Sequence, residues 1–299
     1  MQDNALVSKI RKVITKRFLK HLEEEAKNEP EKYQKFWETF GIFLKEGATS
    51  DYEFQKEIGK LLRFESSKSE PGKQVSLGDY VLRMNPDQKE IYYINGPSRE
   101  AIEAGPYVEM FRKKDIEIIY TMEPIDDFVL NHLGEFEEKK LVSADRADIS
   151  LGGDDDKTGE KDEAKEKLDK QHVADLATWM QKVLEDNISE VIESKRLVDS
   201  PAMIVTADGY MTSTMERVLS ANRKEKNFPG LGGGKKKLEI NPTNALIKKL
   251  SELREQDEEF AREVARQIHD NAMIQAGLVV DPLAMVERNY RILGRVVGN

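Results

Sequence analysis

The stretch that most resembles a chemical motif is Gly230-Leu231-Gly232-Gly233-Gly234-Lys235-Lys236, a glycine run ending in lysines. Such runs can cradle phosphates with backbone N–H groups. A Walker loop, however, needs glycine where Pro229 stands and Ser or Thr where Lys236 stands. The spacing reads instead as a flexible loop. The four histidines, His21, His132, His172 and His269, fall in four separate predicted elements without ligand spacing, so no metal site is expected. The chain has no cysteine, which removes thiolate ligands and disulfides. Neither a Gly-x-Ser-x-Gly elbow nor an HExxH pair occurs. Acidic runs are dense in GGDDDKTGEKDEAKEKLD (152–169), where solvation of a linker explains them better than acid/base work. Spacing alone identifies no catalytic centre.

Two apolar faces offer binding rather than chemistry. After Asp208-Gly209-Tyr210, a predicted helix displays Met211, Met215, Val218 and Leu219 on one side. Methionine suits surfaces that accept varied partners, and it also fills ordinary cores. Near the end of the chain, Asp281-Pro282 signals a helix start, and Leu283, Val286, Tyr290, Leu293 and Val297 form a stripe. That stripe packs either within its own domain or as a homodimer seam in a four-helix bundle.

The positioning elements follow from periodicity. Leu6, Ile10, Ile14, Phe18 and Leu22 recur every four residues, predicting a helix. A second runs through Tyr33, Trp37 and Leu44, and a third over 51–62, making a helical coil. Residues 91–94, 116–120 and 140–143 read as strands alternating with helices over 98–114 and 124–133. That alternation predicts βαβ units and a mostly parallel sheet. Further on, strands near 189–193 and 203–206 precede a helix over 212–222. Asn241-Pro242 signals the start of a long helical region, interrupted by a turn at Asp257. The fold class is therefore mixed, α+β. Residues 1–151 form a first domain (helical coil 1–64, small α/β subdomain 65–151), 152–168 a charged linker, and 169–299 a second domain ending in helices. A net charge of −9 argues against nucleic acid. No apolar run of 18 residues suggests a membrane span. The opening Gln2-Asp3-Asn4 leads straight into a helix and reads as a cut from a longer chain.

Many of these stretches resemble the heat shock protein 90 family in order along nearly the whole chain. They include Gln2-Asp3-Asn4 with Ile10-Arg11-Lys12, Leu61-Leu62-Arg63-Phe64, Gln88 with Ile91-Tyr92-Tyr93, and Glu123-Pro124-Ile125-Asp126. Lys140-Leu141-Val142-Ser143, Ser200-Pro201-Ala202 and Asn241-Pro242 complete the match. The resemblance implies the later part of a middle domain and a C-terminal dimerisation domain. Full-length members bind and hydrolyse ATP with Mg2+ through an N-terminal domain, so no cofactor is expected in these residues themselves. Gln2 matches a glutamine of the γ-phosphate loop, the one remnant of that catalytic machinery. Asp127 and Phe128 match a client-contacting position, and Met211, Met215, Val218 and Leu219 match the amphipathic client-facing segment. The implied partners are a second copy of the chain and partly unfolded client proteins. A chain stopping at Val297-Gly298-Asn299, without an acidic tail, matches the mitochondrial or bacterial branch, with mitochondrial placement expected ahead of cytoplasmic. A competing reading is an enzyme whose site lies at the carboxyl ends of the parallel strands in 90–145, an expectation from fold analogy only.

Overall fold

Proline at position 30 ends one helix and starts the next. Its fixed φ suits a first helical residue and its missing N–H is not needed there. α1 (Ala5–Asn28) and α2 (Pro30–Ser50) thus form a helical hairpin, followed by the short α3 (Gln55–Leu61). The computed structural model describes residues 5–146, 149, 167–185, 187–206, 212–221, 236–278 and 280–298. The described chain divides by packing into two units, Met1–Arg99 with Glu117–Ser143, and Glu100–Ile116 with Ala144–Asn299. The sequence reading placed residues 100–116 with the first domain, whereas by packing they group with the second unit.

In the first unit, Leu19, Leu22, Tyr33, Trp37, Leu44, Ile58 and Leu61 make one core with the inner face of a five-stranded sheet. The strands are β1 (Glu65–Ser66), β2 (Glu90–Asn95), β3 (Ile119–Thr121), β4 (Glu135–Phe136) and β5 (Lys139–Ser143), in the order β1-β3-β2-β5-β4. β2 is parallel to both β3 and β5, and the two-residue edges β1 and β4 are antiparallel. The continuous apolar run Ile91–Ile94 suits such a doubly covered central strand. Buried phenols are satisfied: the Tyr33 hydroxyl donates to the Leu61 carbonyl at 2.6 Å and that of Tyr80 to the Glu117 carbonyl at 2.6 Å. α4 (Leu77–Arg83) starts in a capping box formed by Ser76 and Asp79, and α7 (Pro124–Leu133) covers the sheet beside α2.

The helix predicted over 98–114 is broken. α5 (Arg99–Glu103) ends before Gly105-Pro106, a 3-10 turn spans Pro106–Val108, and α6 (Glu109–Lys113) follows. Pro106 lacks the N–H that a continuous helix requires. The break puts two polar groups to use within the second unit. The Tyr107 hydroxyl donates to the Ile204 carbonyl at 2.6 Å. The Glu109 carboxylate accepts the backbone N–H groups of Val198, Asp199 and Ser200 at 2.7, 2.9 and 3.0 Å.

The second unit is built on a three-stranded sheet, β6 (Ile188–Glu193), β8 (Lys236–Ile240) and β7 (Ala202–Val205), in the order β6-β8-β7. β8 runs parallel to β6 and antiparallel to β7. The sequence reading missed β8, because its first residues are the lysines that close the glycine run. α8 (Lys170–Val183) and α11 (Glu258–Gln275) pack on this sheet, with α10 (Ala245–Gln256) against α11. The small side chains Ala261, Ala265 and Ala272 let α11 approach closely, and Leu176, Met180, Ile204, Leu238, Leu250 and Ile268 fill the core. One charged pair is buried there: Arg196 Nη2 lies 3.2 Å from Glu239 Oε1 while its Nη1 donates to the Ala144 carbonyl at 2.9 Å. The expected helix start at Asn241-Pro242 moves three residues on. Asn244 caps α10 by accepting from Leu246 N at 2.8 Å, and Asn241 instead holds a turn through Thr243. The start at Asp281-Pro282 agrees with the prediction, since Asp281 caps α12 (Pro282–Val297) through the N–H groups of Leu283 and Ala284.

Candidate functional site

α12 buries no residue completely. Leu283 is 77% exposed, Val286 50%, Tyr290 72%, Leu293 51% and Val297 84%. At 3.6 residues per turn these five lie within one stripe, and Arg288, Arg291 and Arg295 lie on the opposite side. The arginines are the side that meets α11. Arg288 pairs with Asp270, Arg291 Nε with Glu263 at 2.7 Å, and Arg295 Nη2 with Asp257 at 2.8 Å. The Arg295 guanidinium also sits 4.8 Å from the Phe260 ring centroid. α12 is thus inverted relative to an ordinary surface helix, with its charges inward and its apolar stripe outward.

Asp270 is the best-held of the three carboxylates. Burial pushes its carboxyl up, but hydrogen bonds from His269 and Arg288 outweigh burial and hold it below the usual carboxylate range. Asp257 serves twice, capping α11 at Phe260 N and pairing with Arg295. Sequence reasoning missed this clasp. Its signal was present as arginines at 288, 291 and 295 facing carboxylates at 270, 263 and 257, each series with near-helical spacing.

The other proposed contact residues differ in burial, each within its own unit. α9 (Ser213–Ala221) turns Met215 inward, where it is only 7% exposed. Thr212 begins this helix, its hydroxyl accepting from Met215 N at 3.2 Å. Met215 therefore packs as core rather than being displayed, and Val218 is half-buried. Met211, Gln2 and the side chain of Leu219 lie outside the described residues, as does the glycine run over 230–235. On α7, Asp127 is 1% exposed and Phe128 half-buried, so Phe128 is the one of the pair that a partner could touch. The neighbouring Asp126 is buried against Lys45, which also reaches Glu123 at 2.7 Å. Burial is the main cause lifting the Asp126 carboxyl above its ordinary range.

A second apolar face is uncovered in the first unit. The apolar stripe that predicted α1 is buried only at Leu19 and Leu22, whereas Leu6, Ile10, Val13, Ile14 and Phe18 are 49–61% exposed. Phe40 and Phe43 of α2 are exposed as well. Among the described residues, no group of three or more His, Asp or Glu side chains is placed to hold a metal ion, and no helix is long and apolar enough to cross a membrane.

Comparison with known proteins agrees with this order of elements. The family model described as Hsp90 protein matches residues 1–298. The chaperone protein HtpG of Desulfotalea psychrophila is 66% identical over 297 residues, covering 99% of this chain and 47% of that protein. HtpG of Desulfitobacterium hafniense is 46% identical over 299 residues, covering 99% and 47%. The mitochondrial heat shock protein 75 kDa of Rattus norvegicus is 36% identical over 291 residues, covering 96% and 41%. The chain spans about half the length of the relatives it matches. A match that runs from the first helix through the uncovered α12 leaves one assignment: this chain belongs to the Hsp90 family.

Proposed function

We propose that this chain is the part of a molecular chaperone that pairs two copies and holds partly unfolded protein, within a longer protein driven by ATP. The observation that carries the reading is the outward apolar stripe of α12. A buried Leu or Val side chain contributes about 1.5–3 kcal/mol. Leu283, Val286, Leu293 and Val297 from each of two copies would gross about 12–24 kcal/mol, against roughly 4–15 kcal/mol lost on association. A symmetric pairing of α12 and its neighbours covers the stripe on both copies at once. Phe128 and Val218 support contact with exposed apolar segments of clients.

ATP and Mg2+ binding are assigned to parts of the longer protein other than these residues. The α1 face, with Phe40 and Phe43, is where further chain of that longer protein would pack. Higher identity to the HtpG proteins than to the mitochondrial relative supports placement in a bacterial cytoplasm over a mitochondrion.

Light scattering at micromolar concentration tests the pairing. The expected result is twice the chain mass of 34.2 kDa. Leu293→Asp, which puts a charge into the stripe, should give monomers with unchanged helix content. A monomeric wild-type chain, or a dimeric Leu293→Asp chain, removes α12 from the seam. The expected client behaviour is that the chain retains a chemically unfolded model protein and that Phe128→Ser weakens retention severalfold.

A further inference from the structure

Two motifs singled out in the sequence, Ser200-Pro201 and Asn241-Pro242, meet in the second unit around the loop 198–201. The loop is gripped from both sides. On one side the Glu109 carboxylate of α6 accepts its N–H groups, Oε2 taking those of Val198 and Asp199 and Oε1 that of Ser200. On the other side two asparagines donate to its carbonyls. Asn244 Nδ2 lies 2.6 Å from the Asp199 oxygen, and Asn241 Nδ2 lies 3.3 and 3.1 Å from those of Val198 and Ser200.

These bonds run in series. A peptide group is planar, with its N–H and C=O pointing in opposite directions. The group joining Asp199 to Ser200 gives its N–H to Glu109 and its C=O to Asn244. The side-chain amide of Asn244 repeats the arrangement, since its Nδ2 donates to Asp199 and its Oδ1 accepts the Leu246 N–H at 2.8 Å. Turning that amide over would set its NH2 against the Leu246 N–H, so its neighbours fix its orientation. Every donor from Leu246 back to Ser200 therefore points toward Glu109. A second series runs from the Asp199 N–H through the Val198 carbonyl and the Asn241 amide to the Thr243 N–H. Amides aligned head to tail polarise one another, and an ionised acceptor at the end strengthens each link. The Leu246 N–H is one of the donors that a helix start leaves without an intrahelical partner, and a helix start favours negative charge.

We propose that Glu109 is a remote N-terminal cap of α10, its charge delivered to the Leu246 N–H through the Asp199–Ser200 peptide group and the Asn244 side chain. The result is a latch. The start of α10 is held at full strength while α6 is seated on the loop, and it loosens when α6 leaves. Because α10 packs on α11, the seating of a segment far back in the chain is registered in the helical layer of the second unit. The latch is independent of the chaperone reading.

Hydrogen exchange on the whole chain tests the relay. Glu109→Gln keeps the shape but removes the charge and replaces one accepting oxygen by an NH2. The expected result is exchange of the Leu246 and Lys248 amides faster by about fivefold, with Ala265 and Ile268 of α11 unchanged. Asn244→Asp separates the relay from the local cap, because a carboxylate still accepts from Leu246 but has no N–H for the Asp199 carbonyl. In that background Glu109→Gln should change the same amides by less than about twofold. The Asn244 side-chain amide proton bonded to Asp199 should also move upfield in Glu109→Gln, as its hydrogen bond weakens. Circular dichroism confirms that each variant is folded. Equal acceleration in both backgrounds, acceleration spread evenly over the second unit, or no change at Leu246 overturns the proposal.

Discussion

α11 and α12 are consecutive helices of 18 and 16 residues, each with a regular apolar stripe, yet they solve opposite problems. α11 buries Ala261, Ala265, Ile268, His269 and Ala272 against the sheet and its neighbours. α12 buries nothing fully and is held to α11 by three arginine–carboxylate pairs. An amphipathic pattern therefore shows that a face wants covering without naming what covers it. The charges decide the matter here: they lie between the helices, so the apolar stripe has to look elsewhere.

The largest expected effect falls on α11. Ile268 is 3% exposed, and Ile268→Ala should cost about 2–5 kcal/mol in urea unfolding through the cavity it leaves. The matching truncation on α12, Val297→Ala, should leave the unfolding free energy of a dilute, unpaired chain within about 0.5 kcal/mol, as for other exposed sites. Comparable losses at both sites would mean that α12 is covered within its own chain.

A smaller effect is expected from acid. Asp270 has its folded-state pKa depressed, so its stabilisation is present above the unfolded value near 3.9 and is lost as pH falls through the still lower folded value. Hydrogen exchange should show α12 amides losing protection below about pH 4 before those of α11. Simultaneous loss would mean that the clasp is not what holds α12.

The smallest effect is that of salt. Arg291 and Arg295 are half-exposed, and each such pair contributes about 0–1 kcal/mol. Raising NaCl from about 0.05 to 1 M shortens the Debye length to roughly 3 Å and should accelerate α12 exchange only modestly. An Arg295→Gln chain should respond less to salt than the wild type.

Much of the architecture was legible in the sequence. Run length and alternation located the parallel strands of the first sheet, and Asp-Pro and Asp257 marked the boundaries of the last helices. What escaped had a physical reason in each case. β8 opens with Lys236 and Lys237, whose charges mask a strand closed on both sides by β6 and β7. The 98–114 helix obeyed periodicity until Pro106 removed a necessary N–H. The α1 stripe predicted the helix but not its exposure, because periodicity reports a face and is silent about the neighbour. Asp127 and Met215 were matched to a contact surface, but their burial depends on side-chain packing from other elements, which a local pattern does not contain. The clasp of Arg288, Arg291 and Arg295 was written at helical spacing on both partners, but reading it required knowing that α11 and α12 lie side by side.

The bonds made by Tyr107 and Glu109 carry a lesson for anyone dissecting this chain. A fragment beginning after the charged stretch would contain the whole C-terminal sheet and its helices, yet would lack the hydroxyl that binds the Ile204 carbonyl and the carboxylate that gathers the amides of Val198, Asp199 and Ser200. Four backbone groups would be stranded by one cut, so the hydrophobic content of such a piece would overstate how well it stands alone. Function-by-truncation experiments here need a boundary ahead of residue 100, and a ribosome delivering this protein has the second unit's first seventeen residues in hand long before the rest of that unit emerges.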